Sequence, residues 1–98
     1  MTKKQIMTDL KEIRYYYSRK ETFDEVENEL GANAIVDKVK KYNAVMKSAP
    51  IKIYDVYIEL YMRNNTQESL ADKWGYSTQY IKMLNARLYQ FLEQNLSD

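Results

Sequence analysis

The chain has no cysteine and no histidine, and only two glycines and one proline among 98 residues. Without Cys there is no disulfide, no thiolate nucleophile and no thiolate metal ligand; without His the commonest general base and a principal zinc ligand are gone. No glycine-rich phosphate loop occurs, and no nucleophile stands beside a base. The expectation is a protein that is not an enzyme, with no cofactor and no bound metal. Long apolar runs are also missing: no stretch reaches about 18 residues, the scale of a membrane-spanning helix. The opening Met1-Thr2-Lys3-Lys4 leads into Gln5-Ile6-Met7-Thr8-Asp9, whose polar and acidic residues interrupt any signal-peptide core. A cytoplasmic protein with no membrane partner is expected.

What is present points to helix. Hydrophobic residues make up 45% and charged residues 30%, too apolar for a disordered chain and too poor in breakers for a turn-rich β fold. A chain of this length supports one core and not two. The expected fold is all-α, a single small helical domain of about five to six helices ending in a helix-turn-helix. Residues 1–47 supply amino-terminal helices suited to interaction or dimerisation, and residues 50–96 the helix-turn-helix part. The net charge of +1 is unevenly spread: residues 1–30 carry six basic and seven acidic groups, residues 31–63 six and three, and residues 64–98 three and four. Only the middle is clearly basic, which argues against strong nonspecific binding to phosphate by a monomer.

From Lys4 to Ser18, Ile6, Leu10, Ile13 and Tyr17 step by four, three and four and share one side of a helix. Tyr15, Tyr16 and Tyr17 are consecutive and cannot all face one core, so Tyr17 is expected inside and at least one of the others exposed, either covering neighbouring elements or meeting a partner. Thr22-Phe23-Asp24-Glu25 has the capping-box pattern and predicts a short helix through Phe23, Val26 and Leu30 to Gly31, with Asp24, Glu25, Glu27 and Glu29 on its solvated face. From Ala32 to Lys47, Ile35, Val39, Tyr42 and Met46 repeat the helical spacing, with Lys38, Lys40, Lys41 and Lys47 around them. Those lysines either solubilise a helix or contact phosphates. Pro50 begins a helix running to about Arg63 that is apolar on nearly every side and therefore central.

The segment carrying function follows. In Thr66-Gln67-Glu68-Ser69-Leu70-Ala71-Asp72-Lys73-Trp74-Gly75-Tyr76-Ser77, Leu70 and Trp74 form the inner stripe of a short helix, and Ala71 allows the next helix to pass close. Gly75 suits a left-handed turn, Tyr76 is expected to fill the space beneath it, and Ser77 to cap a helix over about 78–92. Ile81, Leu84 and Leu88 then face inward, leaving Ser77, Thr78, Gln79, Lys82, Met83 and Ala86 outward. Gln79 can pair bidentately with adenine, Lys82 can donate to guanine or phosphate, Thr78 can meet a phosphate or a thymine methyl, and Met83 adds apolar contact. Thr66 and Gln67 join the lysines as candidate phosphate contacts. Exposed Thr, Gln and Lys are equally ordinary on a helical bundle that binds nothing.

Residues 54–92, above all Thr66-Gln67-Glu68-Ser69-Leu70-Ala71, Gly75-Tyr76-Ser77 and Tyr80-Ile81, resemble region 4 of the sigma-70 family. They are similar too to small phage-encoded late-gene regulators of the ArpU and RinA type. The resemblance implies promoter recognition on double-stranded DNA, with the last helix in the major groove and RNA polymerase as a partner. Lys82 and Arg87 are the only cations of that helix. The expected function is a sequence-specific DNA-binding transcriptional regulator, acting as a homodimer because one short helix reads few base pairs. The alternative is an interaction protein of the same fold that binds RNA polymerase or another regulator instead of DNA, which would account for near-neutral charge and ten tyrosines.

Overall fold

The first helix starts two residues into the chain because Thr2 and Gln5 cap each other. The Thr2 hydroxyl accepts from the Gln5 amide at 3.1 Å, and the Gln5 side chain accepts from the Thr2 amide at 2.8 Å. In the structure, a computed structural model, residues 1–23, 25 and 34–96 are described. They contain no strand. The elements are α1 (Lys3–Ser18), α2 (Ala34–Met46), α3 (Ile51–Tyr57) running without a break into a π-helical turn (Ile58–Met62), α4 (Gln67–Trp74) and α5 (Thr78–Asn95), with a further helical turn at residues 20–23. The all-α expectation of five to six helices ending in a helix-turn-helix holds. No helix among the described residues is long and apolar enough to cross a membrane.

One core draws on every helix: Ile6, Leu10 and Ile13 of α1, Val39, Tyr42 and Met46 of α2, Val56 and Tyr57 of α3, Leu70 of α4, and Ile81, Leu84, Leu88 and Leu92 of α5. The amino-terminal helices therefore share a core with the helix-turn-helix, with α1 packed on the π turn and on α5. Three expectations are corrected. Within Tyr15-Tyr16-Tyr17 the buried ring is Tyr16, whereas Tyr17 is half-buried and Tyr15 is 50% exposed. Tyr17 sits four residues after Ile13, but its hydroxyl is drawn to the edge of the core, where it accepts from Asn43 Nδ2 at 2.9 Å. Helix resumes at residue 20, with the Phe23 amide donating to the Arg19 carbonyl, so Thr22 lies inside the turn and does not cap it. The rest of that expected short helix, Val26 to Gly31 with Asp24, Glu27 and Glu29, lies outside the described residues. Third, Ile51 is 81% exposed, so α3 is not buried from its first residue.

Polar groups inside the core are paired. The Tyr42 hydroxyl donates to Asp9 Oδ2 at 2.7 Å, and Lys38 reaches Asp9 at 3.0 Å and also Glu12, joining α1 to α2. Tyr57 donates to Asn43 Oδ1 and Tyr61 to Asn85 Oδ1, both at 2.7 Å, tying the central helix to α2 and α5. Burial is the chief reason that the hydroxyls of Tyr42, Tyr57 and Tyr61 are pushed far above the usual phenol range. These rings hold helices together, as a buried phenol does when its hydroxyl finds an acceptor.

The π turn has its own supports. The Arg63 amide donates to the Ile58 carbonyl at 2.9 Å, the five-residue reach of a π-helix. Arg14 Nε donates to the Leu60 carbonyl at 3.0 Å while its guanidinium lies 5.0 Å from the Tyr61 ring centre. The wider turn brings three successive residues, Glu59, Leu60 and Tyr61, into the interior. The Glu59 carboxylate is met there by Arg63 at 2.8 Å, Asn65 at 2.7 Å and Lys73 of α4 at 2.9 Å. Its backbone carbonyl accepts from the Asn65 amide, and Asn64 between takes the left-handed conformation at φ 60°.

Hydrogen bonding from Lys73, followed by the charges of Lys73 and Arg63, holds the Glu59 carboxyl below the usual carboxylate range. Because folding lowers this value, ionised Glu59 stabilises the fold above the unfolded value of about 4.3, and that gain disappears as pH falls through the folded value. Glu59→Gln is expected to cost about 1–3 kcal/mol at pH 7, and the difference from wild type should shrink below about pH 4; denaturant melts at several pH values check this. Gly75 adopts φ 73°, and a Cβ there would meet nothing within 4 Å. Gly75→Ala should therefore cost only the backbone strain of about 1–2 kcal/mol, and Gly75→Asn less, as read from thermal unfolding.

Candidate nucleic-acid interface

The carboxy-terminal helix pair is set by its caps. At the head of α4 the Thr66 hydroxyl accepts from the Ser69 amide at 3.0 Å. At its foot the Tyr76 amide donates to the Ala71 carbonyl at 2.9 Å and the Gly75 amide to Asp72 at 3.4 Å, the paired bonds of a Schellman turn. Ser77 then caps α5, accepting from the Tyr80 amide at 3.1 Å. Three residues thus reverse the chain. Buried Ala71 lets α4 and α5 pack closely, with Leu70 and Ile81 in the core between them.

Fixing that turn fixes which side of α5 faces out. Ile81, Leu84, Leu88 and Leu92 are buried. Gln79, Lys82, Met83 and Ala86 are exposed, and their spacing of three, one and three places them on one side of the helix. Ser77 is exposed; its oxygen serves the cap and its O–H remains a donor. Thr78 is half-buried, less available than its neighbours. No carboxylate occurs between Ser77 and Leu92, so Lys82 and Arg87 make this stretch locally positive although the whole chain is near neutral. Neither cation takes part in an ion pair among the described residues.

The candidate phosphate contacts divide. Lys38 is half-buried between Asp9 and Glu12, and the Glu12 bond chiefly keeps its ammonium charged. It serves the contact between α1 and α2. Lys40 and Lys41 are exposed on α2 and Lys47 in the turn just after it. Thr66 is exposed with its hydroxyl oxygen used in the α4 cap, and Gln67 is half-buried.

Beside this face lies a cluster that sequence reading missed. Tyr76 is 41% exposed and does not fill the space beneath the turn. Its ring packs edgewise on Tyr80, with centres 4.7 Å apart, and more distantly on Trp74 at 6.4 Å. Lys52 of α3 donates to the Tyr76 hydroxyl at 2.9 Å and lies over the Tyr76 and Trp74 rings; that hydrogen bond is the main reason its ammonium titrates above the ordinary lysine value. The attraction of the Lys52 cation explains why Tyr76 turns outward. Twenty-four residues separate Lys52 from Tyr76, so no local spacing announced the pair.

Compared with protein-family models, with curated proteins and with solved structures, the chain matches none.

Proposed function

We propose that the protein is a sequence-specific DNA-binding transcriptional regulator, of the kind that phages and mobile elements encode, reading the major groove with α5. The observation that carries this is the face Gln79, Lys82, Met83 and Ala86: one exposed side of a capped helix, mixing a polar, a basic and two apolar side chains, free of carboxylate, and held by a three-residue turn on a short supporting helix. Side chains of this kind on a helix entering the major groove give base contacts from Gln79 and Lys82, with phosphate contacts from Ser77, Thr66 and the exposed lysines Lys40, Lys41 and Lys47. The sigma-70-like pattern of residues 66–81 supports the same reading. Two copies on a symmetric site would compensate for the short contact of one helix.

A protein that binds RNA polymerase or another regulator in place of DNA drew its case partly from the ten tyrosines. Tyr16, Tyr42, Tyr57 and Tyr61 are buried, and the last three bond inside the molecule, so tyrosine abundance does not favour that reading.

Selection from a randomised duplex pool at low and physiological salt should enrich a motif, with two-fold symmetry if the protein binds as a dimer. Gln79→Ala and Lys82→Ala should leave the melting temperature near wild type and weaken binding to that motif, by about 1–3 kcal/mol for a bidentate Gln79 contact. Lys82→Ala should also flatten the salt dependence if its partner is a phosphate. Unchanged affinity in both variants, or no enriched motif at either salt, would overturn the assignment.

A further inference from the structure

On the side of α5 that faces the first turn of α3, a groove of about 350 Å³ runs between the two helices. Its floor is apolar: buried Ile53 and Leu84, with half-buried Tyr80 and Phe91 along its walls. Lys52 and Arg87 stand on it as cations, and no carboxylate lines it. Among the described residues no buried side-chain polar atom lacks a partner, so nothing in the groove converges on a small polar ligand. Lys52 also borders a second hollow with Asp55, Trp74 and Tyr76, whereas Ile51, 81% exposed, and Tyr54, 37% exposed, line a separate hollow with Lys47 and Ala49.

An elongated apolar channel between two helices accepts the apolar stripe of a third helix. The two cations select the sign of its flanks, since a basic segment would bring like charges together over Lys52 and Arg87 and an acidic one would pair with them. A duplex is the poorer fit: phosphates need the cations but have no use for a concave apolar floor. We propose that this groove docks an acidic amphipathic helix from a protein partner, its apolar residues against Ile53, Tyr80, Leu84 and Phe91 and its carboxylates at Lys52 and Arg87. The docked helix lies beside the outward face of α5 and borders it at Met83, between Tyr80 and Arg87, while Gln79 and Lys82 lie further round the helix. This inference does not rest on DNA recognition and stands or falls separately from it.

The test uses the full chain as bait for a displayed library of random peptides about 16 residues long, enough for a helix to form on binding. Enriched peptides should carry apolar residues at helical spacing flanked by Asp and Glu. Arg87→Glu and Lys52→Glu should each weaken a synthetic copy of the strongest peptide about tenfold in fluorescence anisotropy, and replacing its acidic residues by Lys should restore binding to the reversed protein. Gln79→Ala with Lys82→Ala should leave the peptide affinity unchanged. Circular dichroism melts establish that each variant folds, and Arg87→Glu alone suffices if Lys52→Glu does not. Failure to enrich any peptide, peptides without acidic flanks, or peptide binding indifferent to Arg87→Glu would overturn the proposal. If Arg87→Glu instead abolishes binding to the selected duplex and no peptide enriches, the groove belongs to the DNA contact.

Discussion

The burial of one carboxylate governs how the two ends of this molecule meet. Glu59 sits inside the π turn that ends the central helix, and its oxygens are shared among Arg63, Asn65 and Lys73. An ion taken out of water must recover its hydration from fixed partners, and here those partners come from the turn itself, from the connection after it and from α4. The same carboxylate thus closes the central helix, sets the direction of residues 63–66 and anchors the helix on which α5 rests. The solvent-facing positions of Arg63 and Lys73 keep the arrangement from burying three charges together.

Around that point, polar side chains specify which helix lies against which, while the aliphatic residues fill the space. Asp9 and Lys38 pair α1 with α2, Asn43 receives Tyr57, and Asn85 receives Tyr61. Leu, Ile and Val would pack in several registers; a phenol that must find one amide oxygen has far fewer choices. Four of the ten tyrosines, Tyr16, Tyr42, Tyr57 and Tyr61, are thereby accounted for inside the fold. The large apolar residues that remain exposed are spread over the molecule, Met7 and Tyr15 on α1, Ile51 and Tyr54 on α3, and Tyr76 and Met83 at the turn and on α5.

Much of this was legible in the sequence. Wherever apolar residues recur at three and four, as at Ile6, Leu10 and Ile13 or Ile81, Leu84 and Leu88, the inward face followed from spacing alone, and Gly75 and Ser77 marked the turn because few residues suit those backbone positions. Legibility failed where a long-range partner decided the outcome. Tyr76 turned outward to a lysine of another helix, Tyr17 was held at the rim by Asn43, and Lys38 was drawn between two carboxylates. The groove between α3 and α5 was invisible for the same reason, since its walls come from segments about 30 residues apart. The exposed set Gln79, Lys82, Met83 and Ala86 was recovered because it is the complement of a well-marked apolar stripe.

The π turn makes this chain unequally sensitive to two kinds of genetic change. A π turn holds one residue more than the α-helical turn it replaces, so losing any single residue from 58–62 would let the segment relax into ordinary helix. Because the surplus residue is taken up inside the turn, the bond from Arg63 to the Ile58 carbonyl would close as an ordinary α-helical one and the chain after it would keep roughly its place, while Glu59, Leu60 and Tyr61 could no longer all face inward. A loss of one residue here is absorbed within the turn, whereas replacing Glu59 removes the carboxylate that Arg63, Asn65 and Lys73 share. In this stretch the identity of one side chain is constrained more tightly than the number of residues.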